Sequence, residues 1–265
     1  MTEDAEARAT MVDFLRRLAL ADATLVERLP FGFAALHPEL HRAYDLNLVW
    51  VDDAVVVGAA DLVAEGERLA VQHGFEHCEV IVPDEPAAVR LRPELAAAGY
   101  AAEPRLLMVA RRRPERQPSC PVAEIDLTQV TAVTEATLRQ SPESFDEETV
   151  GQLCAAKRVV VASGGRFLGA RAADGTLASI CDVYSDGTTA QIESVITLKA
   201  YRGQGLASSL VLHAVDDARR AGHELVFLQA DENDWPRHLY TKLGFDPVGV
   251  VTRFLRAPSR PGVPH

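Results

Sequence analysis

The stretch "YRGQGLASSLV", residues 201–211, places an arginine and two glycines directly ahead of an apolar, helix-like run. Glycine tolerates positive φ and has no side chain, so Gly203 and Gly205 let a ligand approach the backbone. A turn that opens into a helix offers N–H groups and the positive end of the helix dipole, which favour an anion such as a phosphate. Arg202 adds a positive charge. The preceding "QIESVITL" reads as a strand, which puts the turn at a strand's carboxyl end, where α/β proteins bind ligands. The two glycines alone are also what a plain strand-to-helix turn needs. No Gly-Lys-Ser/Thr follows, which excludes a Walker A loop. The third glycine of a dinucleotide-binding fingerprint is missing.

The surrounding elements follow from periodicity and punctuation. Residues 3–29 read as a helix ended by Pro30. "FGFAALHPELHRAYD" reads as irregular, and "NLVWV" (47–51) as a strand. A helix closed by Gly74, the buried strand "CEVIV" (78–82), a helix near 85–98, Gly99-Tyr100 and the strand "RLLMVA" complete the first half. "RRRPERQPSCP" is basic, proline-bearing and aperiodic, so it reads as a solvated linker. "VAEIDL" reads as a strand, and 127–140 and 146–157 as helices. Two hairpin signals, "ADGT" and "SDGT", imply three antiparallel strands. "GLASSLVLHAVDDARRAG" is helical, with Leu206, Leu210, Ala214 and Ala218 on one face. "ELVFLQA" is a strand, "WPRHLYTKLGF" a short helix, "VGVVTRFLR" a strand and "PSRPGVPH" a disordered tail. Gly99-Tyr100 mirrors Gly244-Phe245, and both halves end alike, as in an internal repeat.

Composition sets outer limits. With 265 residues, 48% hydrophobic and 25% charged, the chain can bury a substantial core. No apolar run is long enough to span a bilayer, and the acidic start lacks a secretion signal, so a cytoplasmic location is expected. A net charge of −11 argues against nucleic acid or an anionic membrane as partner and tilts towards a cationic acceptor. Cys78, Cys120, Cys154 and Cys181 lack metal or dithiol spacing and read as buried free thiols, so no metal is expected.

Two ordered signatures carry a family resemblance. "IESVITLKAYRGQGLASSLV" resembles the acetyl-CoA loop of the GNAT superfamily of N-acetyltransferases, Q/R-x-x-G-x-G/A, through Arg202, Gly205 and Ala207. "NDWPRHLYTKLGF" resembles its second signature through Asn233, Leu239, Tyr240 and Leu243-Gly244-Phe245, with Pro236 where alanine is common. The resemblance covers residues 120–256. It implies an α/β (α+β) GNAT fold, a mixed, mostly antiparallel sheet flanked by helices, with a degenerate GNAT-like domain before it. The expected division is 1–112 for the degenerate domain, 113–121 for the linker, 122–257 for the working domain and 258–265 for the tail.

The resemblance also implies a chemistry. The diphosphate of acetyl-CoA, the only cofactor expected, would lie on the amides of Arg202, Gly203, Gln204, Gly205, Leu206, Ala207 and Ser208. Its pantetheine arm would run along Val195, Ile196 and Thr197, and Asn233 would bond the arm or cap a helix. Glu193 would take the proton of the attacking amine, or make a surface pair. Tyr240 would protonate the leaving thiolate, or pack on the sheet. Asp182 and Asp231 are further candidates for meeting a cationic acceptor. In the first half the corresponding positions are Asn47 and Leu95, and "DDAVVVGAADL" has no arginine-glycine turn, so no carrier site is expected there. The expected function is direct acetyl transfer to a primary amine of a small molecule or peptide, by a monomer or homodimer. The alternative is a non-catalytic acyl-CoA-binding module.

Overall fold

The structure is a computed structural model and describes residues 2–258. Most of the tail expected at 258–265 lies outside the described residues. Along the chain, α1 (Glu3–Asp22) leads to β1 (Leu25–Leu29), β2 (Gly32–Leu36), β3 (Leu48–Val51), α2 (Ala59–His73), β4 (Cys78–Val82), α3 (Glu85–Ala97) and β5 (Ala101–Ala110). Then come β6 (Val122–Ile125), α4 (Leu127–Arg139), α5 (Glu147–Ala155), α6 (Lys157–Ala162), β7 (Arg166–Arg171), β8 (Leu177–Ser185) and β9 (Thr189–Thr197). α7 (Leu206–Arg220), β10 (Leu225–Asp231), α8 (Pro236–Lys242) and β11 (Phe245–Arg256) close the chain. No helix of the described residues is long and apolar enough to cross a membrane.

Three expectations fail locally. The helix expected over 3–29 stops at Asp22, and Leu25–Leu29 pairs antiparallel with Gly32–Leu36, a stretch expected to be irregular. Leu25 and Leu29 fit a helical period, but a hairpin gives their backbone a ladder partner, and such tertiary pairing overrides local preference. The helix expected over 146–157 is two helices that meet at Ala156. Asp146 starts the first, accepting from the Thr149 N–H at 2.7 Å.

The contacts group the chain into two compact units that do not follow chain order. Among the described residues the larger takes 2–18 and 106–249, and the smaller takes 19–105 together with 250–258. Strands in the smaller unit run β1-β2-β3-β4-β11, with β11 antiparallel to β4 and Phe254 opposite Val80. In the larger unit they run β5-β10-β9-β8-β7-β6. β3 with β4 and β9 with β10 are parallel, and β1–β2, β2–β3, β4–β11, β6–β7, β7–β8 and β8–β9 are antiparallel, so the sheet is mixed and mostly antiparallel.

Each unit has its own core. In the larger, Leu206, Leu210, Ala214 and Ala218 of α7 are all buried, packed with Leu168, Ile192, Leu228 and Phe245. Phe14 of α1 meets Phe227 edge-on, with ring centroids 5.5 Å apart, which fixes the helix to this core. In the smaller, Leu62, Val80, Leu91, Leu95, Tyr100 and Phe254 pack together. Gly99 and Gly244, at φ of 86° and 95°, end α3 and α8 in the same left-handed conformation.

Candidate active site

The site begins where two parallel strands part. β9 and β10 are in register from Thr189–Leu225 to Ile192–Leu228, while β9 runs on to Thr197 and β10 to Asp231. Burial changes at the same point: residues 189–192 are buried and 193–197 half-buried. Val195, Ile196 and Thr197 therefore lie on the splayed part of β9. On its other edge β9 bulges against β8. Asp182 faces Glu193 and Ile180 faces Ile196, so Cys181 stands opposite both Ser194 and Val195. Ser194 takes a φ of 52°, which non-glycine residues rarely adopt, and such bulges bend a strand and re-aim its side chains.

The glycine turn lies between this strand and α7. Gly203 and Gly205 both have φ of 80°, and Gly205 is the N-cap of α7. A Cβ on Gly203 would meet nothing within 4 Å, so the turn is open there. A Cβ on Gly205 would lie 2.8 Å from Ser119 Oγ, so that side is already taken. The first N–H groups of a helix have no partner within it, which leaves those of Leu206, Ala207 and Ser208 for an anion. Leu206 and Ser208 are buried, Gly205 and Ala207 half-buried, and Arg202, Gly203 and Gln204 exposed. Arg202 Nε donates back to the Thr197 carbonyl at 3.3 Å and braces the strand end.

Glu193 and Tyr240 are near enough for the charge of one to act on the other. Gln191 Nε2 donates to Glu193 Oε2 at 2.7 Å, and the Ser194 N–H reaches Oε1 at 3.3 Å. Tyr240 is buried and packs on Phe245, with ring centroids 6.1 Å apart. Burial, then the charge of Glu193, pushes its phenol up to about 12. Tyr240 is therefore a firm hydrogen-bond donor and a weaker acid than an ordinary phenol. Asn233 is exposed and does not cap α8, whose N-cap is Trp235. Its N–H instead bonds Asp231 Oδ1 at 2.8 Å.

Three further residues were not singled out by the sequence. Lys157, at the start of α6, holds Asp182 Oδ2 at 2.6 Å in a buried ion pair. Asp182, expected to meet a cationic acceptor, is thus already neutralised, and burial raises its carboxyl above the ordinary range against the pull of Lys157. Gln191 is buried beside Glu193 on the same strand. Ser119 comes from the basic linker, and its N–H donates to Ser209 Oγ in α7 at 2.8 Å. Only residue spacing on one strand, Gln191 to Glu193, was visible as a signal. The other two contacts join distant segments.

The smaller unit closes its corresponding turn. The Gly58 N–H at the start of α2 donates to Asp61 at 2.9 Å, placing a carboxylate where an anion would sit. Arg90 donates to the Ala54 carbonyl at 2.6 Å and holds the loop. Asn47 is buried, bonding the Leu40 and Ala43 carbonyls. Trp50 belongs to the core, stacked on Phe33. Cys78 and Cys181 are buried, whereas Cys120 and Cys154, also expected to be, are half-buried; all four are free.

Comparison with known proteins bears on the fold. Residues 130–245 match the family model described as Acetyltransferase (GNAT) family. Similar solved structures include a conserved protein of unknown function from Staphylococcus epidermidis, with TM-score 0.65 and 17% identity over 89% of this chain and 94% of that one. A GCN5-related N-acetyltransferase from Kribbella flavida gives TM-score 0.61 and 18% identity over 98% and 97%. A tandem GNAT protein from the clavulanic acid biosynthesis pathway gives 0.56 and 17% over 97% of each chain. Comparison with curated proteins finds no match. The fold is that of the GNAT proteins, and the N-terminal half resembles a second GNAT-like domain.

Proposed function

We propose that this chain, whose residues 130–245 form a GNAT-family domain, moves an acetyl group from acetyl-CoA directly to a primary amine of a small molecule or peptide. The observation that carries the reading is the parting of β9 from β10 after Ile192 and Leu228, directly ahead of the open glycine turn. A gap between strands accepts an extended, amide-bearing arm much as a sheet accepts an added strand. The helix start and Arg202 favour the arm's diphosphate, and Asn233 would meet the arm near the end of β10.

Glu193 takes the proton of the attacking amine while the amine nitrogen bonds the thioester carbonyl carbon and the carbon–sulfur bond breaks. N–H groups of the splayed strand polarise the carbonyl. Tyr240 donates a hydrogen bond to the departing sulfur. Cys181 is fully buried and its thiol is pushed up by burial, which favours direct transfer over an acyl-cysteine. Among the described residues no group of three or more His, Cys, Asp or Glu could hold a metal ion. The net charge of −11 suits a cationic acceptor.

Calorimetry with CoA, paired with thiol release from acetyl-CoA against a panel of amines, tests the proposal. Binding together with release by one class of amine is expected. Binding without release by any amine would make this a non-catalytic acyl-CoA-binding module, and absence of binding would remove both readings.

A further inference from the structure

We infer that Gln191 is a positioning residue for Glu193, pinning one carboxylate oxygen so that the acceptor's proton is taken by the other. The inference rests on the acetyl-transfer reading above. Gln191 and Glu193 stand two apart on β9, so their side chains share a face ahead of the bulge. Gln191 is buried, and its Nε2 donates to Glu193 Oε2 at 2.7 Å. Its own Oε1 is buried with no hydrogen-bond partner among the described residues. Leaving an amide oxygen unpaired in a core is unfavourable. The charge-assisted bond on the other side of the amide offsets that cost. Turned the other way, the amide would set its carbonyl against a carboxylate. The orientation present gives the carboxylate a donor.

With Oε2 engaged, the proton from the amine goes to Oε1, which the Ser194 N–H reaches at the longer 3.3 Å. The nitrogen's electron pair forms the new C–N bond, and the electrons of the broken C–S bond leave on sulfur. Gln191 keeps its bond throughout and touches neither substrate.

The test compares the pH dependence of kcat and KM for the wild type, Gln191→Met, Gln191→Glu and Glu193→Gln, with CoA affinity and melting temperature as controls. Methionine keeps the volume and removes the donor. The expected result for Gln191→Met is unchanged CoA affinity, kcat lower by about tenfold, and an acid limb moved upward by about one pH unit. Gln191→Glu moves it further. If Gln191→Met does not fold, Gln191→Asn, which keeps an amide but shortens it, is expected to shift the limb in the same direction. A folded, active variant whose acid limb coincides with the wild type's overturns this inference alone. A Glu193→Gln enzyme with undiminished turnover also overturns it. A wild type that acetylates no amine removes the underlying reading instead.

Discussion

The hydroxyl of Ser119 occupies the space that a side chain on Gly205 would need, 2.8 Å from where its Cβ would stand. Gly203 and Gly205 share a φ of 80°, yet only the second faces another residue. Alanine at either position pays for a left-handed backbone, about 1–2 kcal/mol. Gly205→Ala should be less stable than Gly203→Ala, and Ser119→Gly in the Gly205→Ala background should recover the difference. Urea midpoints of the four proteins measure this. Equal midpoints for the two alanine variants would show that Ser119 yields freely.

The buried pair of Lys157 and Asp182 lies across the β8–β9 ladder from Glu193. Lys157→Met leaves a buried carboxylate without its partner, and such losses cost about 3–5 kcal/mol. The double variant Lys157→Met, Asp182→Leu removes both charges and should regain most of that stability. Denaturant unfolding of the single and double variants checks the expectation, which fails if the double variant is no better than the single.

On the acetyl-transfer proposal, Tyr240 bears on the leaving group. Its phenol, pushed up to about 12, keeps its proton throughout the neutral range. Tyr240→Phe should therefore lower kcat by about a hundredfold while CoA affinity holds, and the loss should be the same from about pH 6 to 9. Turnover measured across that range decides the matter. An undiminished kcat would return Tyr240 to a packing role.

Glu79 gives the smaller unit a pH signature. It lies 2.6 Å from Arg253, yet burial, reinforced by Asp45, raises its carboxyl from 4.5 to about 8. The folded state then holds a proton that the unfolded chain has released, so stability falls as pH rises from about 4.5 to about 8. Burial lowers His77 to about 4, below its ordinary 6.5. His77 is thus largely neutral in both states above about pH 6.5, and the slope between there and about 8 reports on Glu79. Glu79→Gln should flatten that slope. Urea midpoints across the window test it, and an unchanged slope would assign it elsewhere.

Much of this protein was legible because its signals are local. Glycines with φ of 80° at a helix start announce themselves by type and spacing, and so does the amphipathic face of α7 from Leu206 to Ala218. Two ordered signatures, read together, identified the domain that the family model matches at residues 130–245. The hairpin of Leu25–Leu29 with Gly32–Leu36 was not legible, because Leu25 and Leu29 fit a helical period until a partner strand is present.

The sequence by itself offered candidates for binding an anion and, through the family resemblance, for moving a proton, since those properties belong to residue types and to their order along one strand or turn. Only the tertiary structure decided their state. It placed Lys157 on Asp182, Ser119 against Gly205 and β11 beside β4, and it buried Tyr240 enough to weaken it as an acid. Each of these depends on distance through space and on exclusion of water, and neither quantity is a function of separation along the chain.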